Sequence, residues 1–118
     1  MSNRQVSVAA LQLRAHDRVT FSTAWPLMCA RIAAAADDGA DLIVLPEGTV
    51  PAYVIGTEPV DPHLLEAAAE DVMAISSRTG ATIVYGGGRY AGGDFLNSAY
   101  VVTPAGITGY ADKCFLWH

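Results

Sequence analysis

Charge is what this sequence has least of. Only 16% of its 118 residues are Asp, Glu, Lys or Arg, against about 25% in typical globular proteins. Lysine and arginine together number 7, with no basic run and no basic patch interleaved with aromatics, and the net charge is −5. That balance argues against nucleic acid or an anionic membrane as partner. No apolar run approaches the length of a transmembrane helix. The stretch after Met1, Ser2, Asn3 and Arg4 is too short and too polar-spotted for a signal peptide. The two cysteines, Cys29 and Cys114, have no framework spacing, so a reducing cytoplasm is the expected compartment. His16, His63 and His118 are scattered without metal-ligand spacing and read as surface or capping residues, so no metal or other cofactor is expected.

What abounds is apolar: 52% of the residues. A chain of this length fits one domain and can bury a core. With so little polar surface, some faces are expected to be covered by another subunit or by sequence outside the chain. Residues 5–13 alternate as a strand. Phe21, Trp25, Met28 and Ile32 then mark one face of a helix, with Ser22 or Thr23 as its N-cap, Pro26 in its first turn and Gly39 at its end. Residues 42–45 form a second strand. Asp61 and Pro62 start a second helix with Leu65, Ala68, Val72 and Ile75 on one face, closing at Gly80 after Arg78. Residues 81–85 form a third strand, followed by glycines at 86–88 and 92–93. Residues 98–102 and 107–111 read as a hairpin around a type I turn from Thr103 to Gly106. The order is β-α-β-α-β-β-β, an α/β domain.

Within it, the stretch from Asp41 to Gly48 carries the strongest chemical signal. Leu42 to Leu45 form an unbroken apolar run, the mark of a strand buried on both faces. Pro46 removes a ladder donor, so Glu47 emerges just past the strand's carboxyl end. Ligands of open α/β sheets bind outside those ends. A glutamate there, backed by a dry sheet, is expected to have its pKa raised toward that of a general base. Its alternative is a solvated loop carboxylate.

Three segments together resemble a known family: Leu42 to Glu47; Asn97-Ser98-Ala99 entering a strand; and Gly106, Gly109, Tyr110, Lys113 and Leu116 at their mutual spacing. The chain resembles the N-terminal part of a nitrilase-superfamily carbon–nitrogen hydrolase, with agreement in element order along essentially its whole length. The resemblance implies the N-terminal half of a four-layer α-β-β-α sandwich, with residues 1–118 as a hydrolase domain truncated before its nucleophile. It implies hydrolysis of a small nitrile, amide or carbamoyl compound through a Glu-Lys-Cys triad without a cofactor. Glu47 matches the base and Lys113 the group that stabilises the oxyanion. Sandwiches of this family stack through helices, which implies a homo-oligomer or a complementing C-terminal segment. Tyr53 and Trp117 are placed to wall the substrate pocket.

The nucleophile departs from the pattern. In the family it lies well downstream of the lysine, beyond His118. Cys114 neighbours Lys113, but adjacent strand residues point to opposite faces, so the two should not converge on one substrate. Cys29, on the first helix, reads as packing. Without the resemblance, Lys113 reads as a strand-end lysine paired with Asp112. Two rival functions remain. One is an inactive truncated or split subunit that acts only by association. The other is a nucleotide-binding module, since Gly86 to Ala91 fits G-x-G-x-x-A, although that fingerprint needs a following helix and a strand is expected instead.

Overall fold

A computed structural model describes residues 4–114. Strand β1 (Val8–Ala10) leads to helix α1 (Phe21–Asp37), strand β2 (Leu42–Val44), helix α2 (Pro62–Thr79), and strands β3 (Thr82–Ala91), β4 (Asp94–Thr103) and β5 (Gly106–Asp112). All five strands lie in one sheet in sequence order. β1, β2 and β3 are parallel, and β3, β4 and β5 antiparallel. The order of elements is the expected one.

The apolar positions dictate how the layers meet. Ile43, Leu45, Ile83, Tyr85, Tyr100 and Val102 project from one face of the sheet and are buried with Phe21, Trp25, Met28 and Ile32 of α1 and Leu65, Ala68 and Val72 of α2. Ile32, Ile43, Val72, Ile83 and Val102 are wholly enclosed, each worth about 1.5–3 kcal/mol relative to exposure. Both helices therefore cover the same face. The alternate residues, Val44, Val84, Ala99 and Val101, are only half-buried. One helical layer on one sheet makes two of the four layers expected.

Several boundaries differ from the sequence reading. β1 is three residues rather than nine, because it pairs only with the short β2. α1 is capped by Thr20, not Ser22 or Thr23. Asp17 accepts from the backbone N–H and the hydroxyl of Thr20 and draws the helix start back. Pro26 consequently lies inside the helix rather than in its first turn. Pro26 deprives the Ser22 carbonyl of its helical partner, and both residues are exposed, where water can substitute. α2 is as expected: Asp61 accepts from the His63 amide, and Gly80 closes the helix in the left-handed conformation. The larger correction concerns β3. It runs through the glycines to Ala91, where Gly92 and Gly93, both at positive φ, turn the chain directly into β4. Such a two-residue glycine turn suits the twist of a hairpin.

Candidate functional site

The sheet's backbone holds Glu47 out where chemistry can use it. After β2 the chain leaves the ladder for Glu47, Gly48 and Thr49, then returns so that Val50 pairs with Gly87. Gly86 clips both ends of this excursion. Its amide donates to the Pro46 carbonyl at 3.2 Å, and its carbonyl accepts from Val50 N at 3.0 Å. The Thr49 hydroxyl donates to the Pro46 carbonyl at 2.7 Å and closes the loop. A Cβ on Gly86 would stand 2.5 Å from Gly48 N and 2.6 Å from Glu47 Cα. Those are backbone atoms with nowhere to go, so only glycine permits the approach.

A second set of bonds comes from the segment before α1. His16 Nε2 lies 2.9 Å from the Thr49 carbonyl and 2.7 Å from that of Pro51. Two acceptors on one nitrogen require the Nε2–H form. Arg18 donates to the carbonyls of Ile55, Glu58 and Pro59 at 2.7–3.0 Å. The loop that carries Glu47 and Tyr53 is thus tied down along its length. His16 is half-buried and engaged, not the surface or capping residue the sequence suggested. Nothing local in the sequence signals a partnership with carbonyls 33 and 35 residues away.

Lys113 reaches this loop from just beyond β5. Its amide donates to the Asn97 carbonyl at 2.8 Å, which extends the ladder by one bond. Its Nζ lies 2.8 Å from Glu47 Oε1 across 66 residues of sequence. Asn97 Nδ2 donates to the same Oε1 at 2.9 Å. Glu47 Oε2 takes no hydrogen bond among the described residues, so one carboxylate oxygen is held by two donors while the other stays open. Asn97 belongs to the segment quoted for the resemblance, but the sequence assigned it no role. Asp112 is not the partner of Lys113. It takes both oxygens to Arg89 and accepts from the Ser98 hydroxyl, a bridge over β3, β4 and β5 that fixes the strand end from which Lys113 departs.

This pairing reverses one expectation. The Lys113 hydrogen bond holds the Glu47 carboxyl below the usual carboxylate range, with Asn97 adding to the effect and partial burial opposing it. The lysine is raised in turn, first by its hydrogen bond to Glu47. With side-chain exposures of 42% for Glu47 and 30% for Lys113, pairing outweighs desolvation. Both groups are charged at neutral pH.

The remaining candidates separate clearly. Tyr53 lies against Gly48, where a Cβ would stand 2.6 Å from Tyr53 Cα. It is close enough to Lys113 to raise the lysine's pKa slightly. Trp117 and Leu116 lie outside the described residues. Cys114 Sγ is 3.8 Å from the Asp112 carbonyl and takes no part in the cluster. Burial, then the Asp71 carboxylate, pushes the Cys29 thiol up to about 12, an inert packing cysteine. Gly86, Gly87 and Gly88 pair within β3 and lead to a strand, so the helix that a dinucleotide fingerprint requires is replaced by β4. Among the described residues no cluster of three His, Cys, Asp or Glu could hold a metal, and no helix is long and apolar enough to cross a membrane.

Glu47, Asn97 and Lys113 border a groove of about 540 Å³ on the helix-free face, floored by Val44, Val84, Gly86 and Ala99. A larger groove of about 910 Å³ along α1 holds none of the three.

Gly86→Ala tests how the loop is held. It should cost about 1–3 kcal/mol of stability, as overpacking against fixed atoms does. Unchanged stability in a denaturant titration would show that the loop adapts.

A sequence model of the carbon-nitrogen hydrolase family matches residues 7–118. No sequence relative was found among curated proteins. Among solved structures, an amidase from Nesterenkonia sp. superposes with a TM-score of 0.76 at 20% identity, covering 96% of this chain and 44% of that one. A glutamine-dependent NAD(+) synthetase from Cytophaga hutchinsonii gives 0.76 at 17% identity, covering 95% of this chain and 19% of that one. A mutant of the amidase from Nesterenkonia sp. AN1, with the acetamide moiety of fluoroacetamide covalently added at its active site cysteine, gives 0.75 at 19% identity, covering 96% and 44%. The chain therefore spans less than half the length of these proteins and shares one half of the amidase fold.

Proposed function

Because the chain belongs to the carbon-nitrogen hydrolase family, we propose that it supplies the glutamate and lysine of a Glu-Lys-Cys triad that hydrolyses a nitrile, amide or carbamoyl bond in a small molecule. The nucleophilic cysteine lies outside residues 1–118, which form the N-terminal portion of the hydrolase domain. The observation that carries this reading is the 2.8 Å contact of Lys113 Nζ with Glu47 Oε1, made at the carboxyl ends of the strands with Glu47 Oε2 left open.

Each residue's part follows from its charge and position. Glu47, ionised at neutral pH, takes the thiol proton on Oε2 and so generates the thiolate, the effective nucleophile. The thiolate attacks the amide carbon. Negative charge gathers on the carbonyl oxygen, where the Lys113 ammonium stabilises it by roughly 3–4 kcal/mol, as one preorganised oxyanion donor does. The C–N bond breaks as nitrogen takes the proton from Glu47 and leaves as ammonia or amine. Water, giving its proton to Glu47, then hydrolyses the thioester to the acid and restores the thiol. A nitrile follows the same course through a thioimidate. Asn97 holds Oε1 so that Oε2 faces the nucleophile.

The half-buried apolar sheet face is where the rest of the fold, from a complementing C-terminal segment or another subunit, would sit. Covering it would desolvate Glu47 and bring its pKa nearer neutrality, where a general base works best. Cys114 and Cys29 are not the nucleophile. The test is covalent trapping: a complete enzyme quenched during turnover should carry the acyl group on a cysteine outside this chain.

A further inference from the structure

A second cavity, of about 470 Å³, shares Lys113 and Asn97 with the sheet groove. Tyr53, Val54 and Ile55 of the Glu47 loop form one wall and Phe95 of β4 the other, while Gly87 and Gly88 contribute no side chain. We propose that this cavity holds the non-reacting part of the substrate, that this part is uncharged and apolar, and that Phe95 sets its size. The inference rests on the hydrolase reading above and narrows it to neutral acyl chains.

The lining gives the reason. Lys113 is the only charged side chain among the described residues that border the cavity, and it is already matched by Glu47. A carboxylate or an ammonium at the far end of a substrate would lose its hydration there and meet no partner among the described residues, which is costly. Amino-acid-derived substrates, such as glutamine or an N-carbamoyl amino acid, carry such charges. An alkyl or aryl chain meets Val50, Ala52, Val54, Ile55 and Phe95, the mostly apolar character of a small-molecule pocket.

Phe95 is a wall held in place. A Cβ on Gly88 would fall 2.0 Å from the Phe95 ring, so glycine there lets the ring lie against the strand. Tyr90 packs edge-on to Phe95, with centroids 5.0 Å apart. The Tyr90 hydroxyl accepts from Val60 N at 3.1 Å and donates to the Val60 carbonyl at 2.8 Å. The ring therefore has a rigid backing, and a chain that outgrows the space cannot simply push it aside.

The experiment is ammonia release by the complete enzyme from acetamide, butyramide, hexanamide, glutamine and an N-carbamoyl amino acid. Across the neutral series kcat/KM should rise about three- to four-fold per buried methylene until the cavity fills, and the charged compounds should be at least a hundredfold poorer. Phe95→Ala should move the preferred chain length upward, and Phe95→Leu should shift it less, a check if the alanine variant is unstable. A preference for the charged compounds, or a chain-length profile unmoved in both variants, would overturn the pocket assignment and leave the hydrolase reading standing. Release neither from these compounds nor from the nitriles of the same chain lengths would overturn the hydrolase reading and this inference with it.

Discussion

Glu47→Gln in a complete enzyme should lower kcat by about a thousandfold or more with the fold intact. Positioned proton transfer alone is worth about 10²–10⁴ in rate, and here the same carboxylate serves thiol, leaving nitrogen and water in turn. Glutamine is nearly isosteric and its amide oxygen can still accept from Asn97, but it cannot take a proton. Stability supplies a second readout. The Glu47 carboxyl is depressed below its ordinary value of 4.5, chiefly by Lys113. A depressed carboxyl contributes stability that is present above the unfolded pKa and lost as pH falls through the folded one. In denaturant titrations, the gap between the native protein and Glu47→Gln should therefore be open at neutral pH and narrow on acidification below about 4.5. Retained turnover would remove Glu47 from the mechanism, and a gap that widens in acid would contradict the ion pair.

Lys113→Ala should be nearly as damaging, about 10²–10³ in kcat, the usual cost of losing one oxyanion donor. Its pH profile distinguishes it from the loss of Glu47. Without the hydrogen bond that lowers it, the Glu47 carboxyl rises toward its ordinary value, so the acid limb of kcat/KM should move to higher pH. Lys113→Arg should not rescue well, because a planar fork cannot place one point charge where the ammonium sits. Activity within tenfold of the native enzyme would mean the oxyanion is stabilised elsewhere.

Glu47 was legible in the residues because Pro46 ends its strand, whereas Lys113 was singled out only by the family resemblance, since by itself it read as a strand-end lysine paired with Asp112. Asn97 was quoted but given no role, since its meeting with Glu47 depends on the register of β3 against β4. That register runs through Gly86, Gly87 and Gly88. Glycines have no side-chain alternation to betray a strand, so the stretch read as a break. The Gly92-Gly93 pair was the available clue, a two-residue hairpin signal. The direction of the Glu47 pKa was misjudged for a related reason. Burial by the sheet could be anticipated from apolar neighbours, whereas a lysine 66 residues away could not be weighed against it. His16 and Arg18 were illegible for good physical cause. Their acceptors are backbone carbonyls, which carry no sequence.

The account's central claim is that Glu47 and Lys113 serve a cysteine outside this chain, and covalent trapping tests it most directly. A complete enzyme quenched in acid during turnover of a neutral amide, then digested and mass-mapped, should carry the acyl group as a thioester on one cysteine beyond residue 118. The adduct should disappear in Glu47→Gln. An acyl group on Cys114 or Cys29, or steady turnover with no adduct on any cysteine, would contradict the account.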